Sequence, residues 1–180
     1  MSRPRLGALV LAVAAVGGCG QELAGAPNNS GATGTDPATI ELATLDPCTL
    51  LSDAEIEALG FRPDTREPTE LLGLVGCGYF GPIYGDLRSL SVQKEPEDTV
   101  ADYAARAETF GGYRANEVAG RAGAQVQVAE DDTDCTQMVN AGSGTVQVEW
   151  SIREPGATDP CAEALRVMQM IEPELPAVGS

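Results

Sequence analysis

The cysteines constrain this chain more than any other residue type. They stand at positions 19, 48, 77, 135 and 161, and what they can do depends on the compartment the chain reaches. Arg3 and Arg5 precede an apolar run from Leu6 to Val16. A helix needs about 20 apolar residues to cross a hydrocarbon core. The run therefore has the length and flanks of a secretory leader rather than of a membrane span. Export delivers thiols to an oxidising compartment, where disulfides persist. Cys48, Cys77, Cys135 and Cys161 then form an even set with three possible pairings. Cys48–Cys77 and Cys135–Cys161 are favoured, because each joins the first turn of a predicted helix to a predicted strand nearby in sequence. Closing loops of that size contributes about 3.5 kcal/mol per bridge in the chain-entropy picture. No Cys-x-x-Cys spacing is present, which argues against a zinc site; no metal and no cofactor are expected.

After the leader comes Val16-Gly17-Gly18-Cys19. This resembles the bacterial lipobox, in which a branched apolar residue and two small residues precede a lipid-carrying Cys. The resemblance implies cleavage before Cys19, with a diacylglyceryl group on its thiol. Two or more acyl chains hold a protein stably on a membrane. Residues 1–18 are thus read as a signal peptide. Residues 19–43 are read as a lipidated N-terminus and flexible linker, rich in Gly, Ala, Ser, Thr, Asn and Pro, with a reach of roughly 25–30 Å. An alternative is a short strand near Thr39 to Leu42 that docks on the body. The body is placed at 44–176 and a tail at 177–180.

Within the body, Asp46-Pro47-Cys48 reads as a capped helical turn: Asp caps, and Pro suits the first helical position. Ser52-Asp53-Ala54-Glu55 fits a capping box opening a helix that Gly60 ends. Arg62 to Glu70 reads as a loop, Cys77 to Phe80 as the start of a strand, and Leu87 to Gln93 as a second strand. Val100, Tyr103, Ala104, Ala107 and Phe110 recur at helical steps, predicting a helix over Glu97 to Phe110. Ala124, Val126 and Val128 alternate with glutamines. Gln137 to Asn140 and Val146 to Ile152 flank Gly142-Ser143-Gly144, a hairpin signal. On the second of these strands Val146, Val148, Trp150 and Ile152 share one face, and Gln147, Glu149 and Ser151 the other. Asp159-Pro160-Cys161 repeats the earlier helix entry, and Cys161, Ala164, Leu165, Met168 and Ile171 stripe a last helix that Pro173 ends. The order predicts an α+β fold: a mainly antiparallel sheet with helices packed on one face, held by two disulfides.

Composition narrows function by exclusion. The 180 residues carry 11 basic and 27 acidic side chains, a net charge of −16, and no His. A phosphate backbone demands a basic face, so nucleic acid is not a partner. Without His there is no Ser-His or Cys-His pair. Lys94 is the single Lys; a Ser-Lys dyad would have to use it, and a surface ion pair beside Glu95-Pro96-Glu97 is the reading taken. Glu130-Asp131-Asp132-Thr133-Asp134 could offer oxygens to Ca²⁺ but lacks the EF-hand pattern, so it reads as a solvated loop. Gly142-Ser143-Gly144 lacks the five-residue nucleophile-elbow frame and reads as a turn. Tyr103, Phe110, Trp150, Met138 and Met168 could line an apolar pocket, and read as core.

The ordered set made by Cys19, Asp46-Pro47-Cys48, Leu50-Leu51, Ser52-Asp53-Ala54-Glu55, Cys77-Gly78-Tyr79, Cys135 and Asp159-Pro160-Cys161 resembles actinobacterial exported lipoproteins that share a domain of unknown function. The likeness runs from about Leu45 to Pro176. It implies an exported, membrane-anchored domain with two disulfides, and no established activity. The expectation is a cell-membrane lipoprotein on the extracytoplasmic face, held through Cys19 and not an enzyme. It would act as a non-catalytic binding module for an envelope protein or ligand. The alternatives are a carrier or sensor of an apolar envelope lipid, and a carboxylate-based hydrolase. The acidic balance favours a basic partner surface.

Overall fold

The computed structural model describes residues 41–71, 73–82, 87–127, 133–153 and 158–179. The leader, Cys19 and most of the expected linker lie outside them, as do Val128 and the acidic residues 130–132.

Both Asp-Pro-Cys entries do the same local work. The Asp46 carboxylate accepts from Cys48 N at 2.9 Å and caps a single 3₁₀ turn, Pro47–Thr49. Asp159 accepts from Cys161 N and Ala162 N and caps α3 (Pro160–Ile171). In each case proline fills a position whose N–H would have no partner. The helix α1 (Asp53–Ala58) opens with the expected capping box: Ser52 Oγ accepts from Glu55 N, and the Glu55 carboxylate accepts from Ser52 N. It closes at Gly60, whose φ of 82° lies in the left-handed region. Gly60 N bonds Glu57 O, and Phe61 N bonds Ile56 O, the paired bonds that end a helix at a left-handed glycine. The chain then leads Phe61 into the core, edge-on to Trp150 with ring centroids 4.9 Å apart.

Seven strands follow: β1 (Glu67–Leu71), β2 (Leu74–Phe80), β3 (Ser89–Glu95), β4 (Arg114–Val118), β5 (Arg121–Val126), β6 (Asp134–Ala141) and β7 (Gly144–Ser151). They form one sheet in the order β1-β2-β3-β7-β6-β5-β4, with every pairing antiparallel. The α+β class and both disulfides, Cys48–Cys77 and Cys135–Cys161, are as expected. Each bridge ties a capped helical turn to a strand, β2 or β6.

Register sorts the side chains into two faces. Cys77, Val92, Val148 and Gln137 stand in one row, and Tyr79, Leu90, Trp150 and Cys135 in the next. On them pack Ile56 and Leu59 around α1, and Ala164, Val167, Met168 and Ile171 of α3, completing the main core. The short α2 (Val100–Ala105) lies against the other face. There Val100 and Tyr103 meet Ala124, Val126 and Met138 in a second, smaller cluster.

Several boundaries differ from expectation. The segment read as a loop over Arg62–Glu70 holds a 3₁₀ turn and then β1, an edge strand that accommodates Pro68. Cys77–Phe80 ends β2 rather than starting it. β4 carried no strand signal strong enough to place it. The helix expected over Glu97–Phe110 shrinks to α2, because a capping box between Thr99 and Asp102 fixes its first turn. Asn140 Oδ1 also accepts from Val100 N at 2.8 Å. Asp98, left outside the helix, pairs with Arg106 instead, and Ala104 is exposed.

The packed body starts earlier than residue 44: Leu42 is 2 % exposed within the core, in a 3₁₀ turn rather than a strand. The tail is tied down as well. Gly142 N donates to Ala177 O, and Gly179 N to Gly142 O. Arg121 locks the same end, donating to Glu172 Oε1 at 2.6 Å, to Pro176 O at 2.6 Å and to Leu175 O at 3.1 Å.

Candidate functional site

Among the described residues, the face that carries α2 is only partly covered. Beyond the helix, β2, β3 and β7 present a polar floor in which no described helix lies over the strands. Its central row pairs Gly78 with Ser91, Ser91 with Glu149, and Glu149 with Thr136. One neighbouring row is Gly76, Gln93, Gln147 and Met138; the other holds Phe80, which is exposed, with Ser89, Ser151 and Asp134. This is the alternating polar set of β7 and its counterparts on β3. At β2 the floor is lined by glycines, and neighbouring side chains approach their backbone closely. A Cβ on Gly76 would meet Gln93 Cγ at 2.7 Å and Val92 O at 2.8 Å.

One wall is α2. Gln147 Nε2 donates to Tyr103 Oη at 2.8 Å and to Thr145 Oγ1 at 3.3 Å, fixing the tyrosine where floor meets wall. Tyr103 packs on Phe110 at 5.6 Å, and the Arg106 guanidinium lies 4.7 Å from the Tyr103 ring centroid. Burial pushes the Tyr103 hydroxyl above its ordinary pKa, the Gln147 bond opposing.

Glu149 is the central charged group of the floor. Burial raises its carboxyl pKa, a bond from Ser151 Oγ at 3.4 Å opposes, and the negative charge of Asp134 adds to the rise. No cation among the described residues lies within ion-pair distance of it. An acidic, partly buried carboxylate between hydroxyls is suited to accept hydrogen bonds from a ligand's N–H or O–H groups.

The other candidates fall elsewhere. Lys94 is not a surface ion-pair residue. It lies inside β3, 9 % exposed, on the helix-covered face. Its Nζ donates to Ala43 O and Leu45 O, both at 2.6 Å, so it clamps the incoming N-terminal segment onto the sheet. The alternation of Leu90, Val92 and Lys94 was the available signal. Ser143 is a turn residue whose Oγ donates to Pro96 O at 3.2 Å. Tyr103, Phe110 and Met138 lie on one side of the sheet, Trp150 and Met168 on the other, so these five side chains do not line one pocket. Asp134 opens β6, while the rest of the acidic run, apart from Thr133, falls outside the described residues. Among the described residues no three His, Cys, Asp or Glu side chains gather as a metal site, and no helix is long and apolar enough to cross a membrane. Glu149 was legible only as one of the polar alternates of β7.

No curated protein and no solved structure matches the chain. A family described as protein of unknown function, DUF3558, matches residues 14–174, and the chain belongs to that family.

Proposed function

We propose that this chain is an exported lipoprotein, anchored through lipid on Cys19, whose α+β body serves as a non-catalytic binding module on the extracytoplasmic face of the cell membrane. The observation that carries the reading is the polar floor. A sheet face built from Gly76, Gly78, Ser91, Gln93, Glu149 and Ser151 buries little apolar surface of its own. It offers hydrogen-bonding groups on a rigid scaffold, the arrangement a recognition surface needs. With no His in the chain, the common nucleophile-activating sets are missing. The test is a photo-crosslinking residue at Ser91 in the cell, against the same residue at the exposed Glu57 of α1. The reading predicts a discrete crosslinked envelope species from position 91 alone. Equal patterns from both positions would count against it.

A second reading, a carboxylate-based hydrolase, draws on one observation. Glu149 and Asp134 are diagonal neighbours on β7 and β6, and burial favours the protonated form of Glu149. A carboxylic acid held in its protonated form beside a second carboxyl group has the form of a general-acid pair. Hydrolysis of a chromogenic glycoside that disappears in Glu149→Gln would favour this reading over the first.

A further inference from the structure

We infer that the outer edge of β4 takes up an extended, basic polypeptide segment as an eighth strand of the sheet, at a surface separate from the polar floor. The seven-stranded sheet ends in β1 on one side and β4 on the other, and the two edges are built differently.

The β4–β5 connection is a two-residue turn, Ala119 at φ 49° and Gly120 at φ 86°, closed by Val118 opposite Arg121. A turn of this kind makes its closing pair a hydrogen-bonded one. Counting back along the strand, Asn116 and Arg114 also turn their backbone groups inward to β5. Ala115 and Glu117 therefore aim N–H and C=O outward. No described residue bonds them. Both residues are exposed; β4 carries the charges of Arg114 and Glu117 but no proline to remove an outward N–H and no bulge to break the register.

At the other end the same count protects the edge. Leu71 pairs with Leu74 across a two-residue turn, which puts Pro68 and Glu70 at the outward positions of β1. Pro68 has no N–H to give, and an edge proline is a usual means of blunting strand addition; this, not charge, separates the two edges. One edge of this sheet is closed to strand addition and the other is open to it.

Charge selects the occupant. Two copies of a chain with net charge −16 repel each other. A basic segment is drawn in, and a side chain on its polar-floor side would lie beside Glu117, with the small Ala115 leaving room next to it. Main-chain bonds would supply affinity and the Glu117 position selectivity, as in strand addition generally.

The test uses the oxidised full chain and a fluorescent seven-residue peptide of alternating Lys and Val, with a Glu-Val peptide as its counterpart. The proposal predicts that the Lys peptide binds at least tenfold more tightly. It also predicts that the Ala115 and Glu117 amides exchange rapidly in the free protein and are protected in the complex. Ala115→Pro removes an outward N–H without touching a bond to β5, and should weaken binding at least tenfold. An N-methylated peptide reports the same loss without altering the protein, should that variant fold poorly. Equal binding of both peptides would overturn the proposal, as would amides at 115 and 117 already protected in the free monomer. So would a dimer that Ala115→Pro dissolves, which would give the edge to a second copy.

Discussion

Replacing Lys94 by Met tests the link between the sheet and the N-terminal segment that leads toward the proposed anchor at Cys19. Methionine keeps the stem length and the packing beside Val146, and removes only the ammonium. Two short bonds are lost, to Ala43 O and Leu45 O. Bonds from a charged donor contribute about 1.5–3 kcal/mol each, and stranded carbonyls add their own desolvation cost. Relief from burying the ammonium offsets part of this. The expected net loss is about 2–4 kcal/mol, read as a lower urea midpoint at unchanged slope. Hydrogen exchange should quicken first in residues 42–50, the clamped segment. The pH dependence has a definite sign. Burial holds Lys94 below its ordinary 10.5, with Asp46 opposing. In the alkaline window just below 10.5 the unfolded chain therefore binds more protons than the folded one, and stability rises with pH. Lys94→Met should lack that slope. A variant as stable as the parent, with unchanged exchange at 42–50, would refute the reasoning that Lys94 holds this segment.

Other substitutions probe separate parts of the account. Glu149→Gln should stabilise the protein near neutrality, because a raised carboxyl pKa makes folding less favourable as pH rises above 4.5; the gain, measured by urea midpoint, should vanish below pH 4.5. Gly144→Ala would set a Cβ 2.0 Å from Glu95 O and 2.8 Å from the Pro96 carbonyl carbon. It should cost about 3 kcal/mol or more by forcing β3 from β7, whereas Gly73→Ala, with φ 87° but nothing within 4 Å, should cost only about 1–2 kcal/mol of backbone strain. Serine at both Cys48 and Cys77, or at both Cys135 and Cys161, should each remove about 3.5 kcal/mol, given separations of 29 and 26 residues; thermal unfolding would show it.

What was legible in the sequence was what local chemistry decides by itself. Ser52 with Glu55, Gly60, the two Asp-Pro-Cys entries and Gly142-Ser143 each state a cap or turn within a few residues, and each is found in place. The Val146–Ile152 alternation fixed a face because its apolar set is large. What escaped depends on tertiary position. β1 contains a proline, which is tolerated only because the strand lies at the edge with residue 68 turned outward. β4, reading Arg-Ala-Asn-Glu-Val, has one apolar side chain to bury and no described partner on its far side, so its alternation is faint. The apolar spacing around Val100–Phe110 suggested a long helix, yet Thr99, Asp102 and Asn140 set its start and only Val100 and Tyr103 are buried. Lys94 was misplaced because a lone lysine after a strand is ordinarily solvated; only the carbonyls of Ala43 and Leu45, some fifty residues away, make its burial tolerable. The polar floor escaped for the converse reason: polar alternates on β3 and β7 look like ordinary solvent-facing positions until the sheet order sets them side by side next to α2.

The central claim is that an acidic, doubly bridged body stands on a lipid anchor outside the cytoplasm. Intact-mass spectrometry of the protein extracted from its own membranes, with and without reduction and alkylation, tests it in one experiment. The account predicts a chain beginning at Cys19 that carries the mass of a diacylglyceryl group, with Cys48, Cys77, Cys135 and Cys161 alkylated only after reduction. A chain that retains residues 1–18, bears no lipid and alkylates at four free thiols would contradict it.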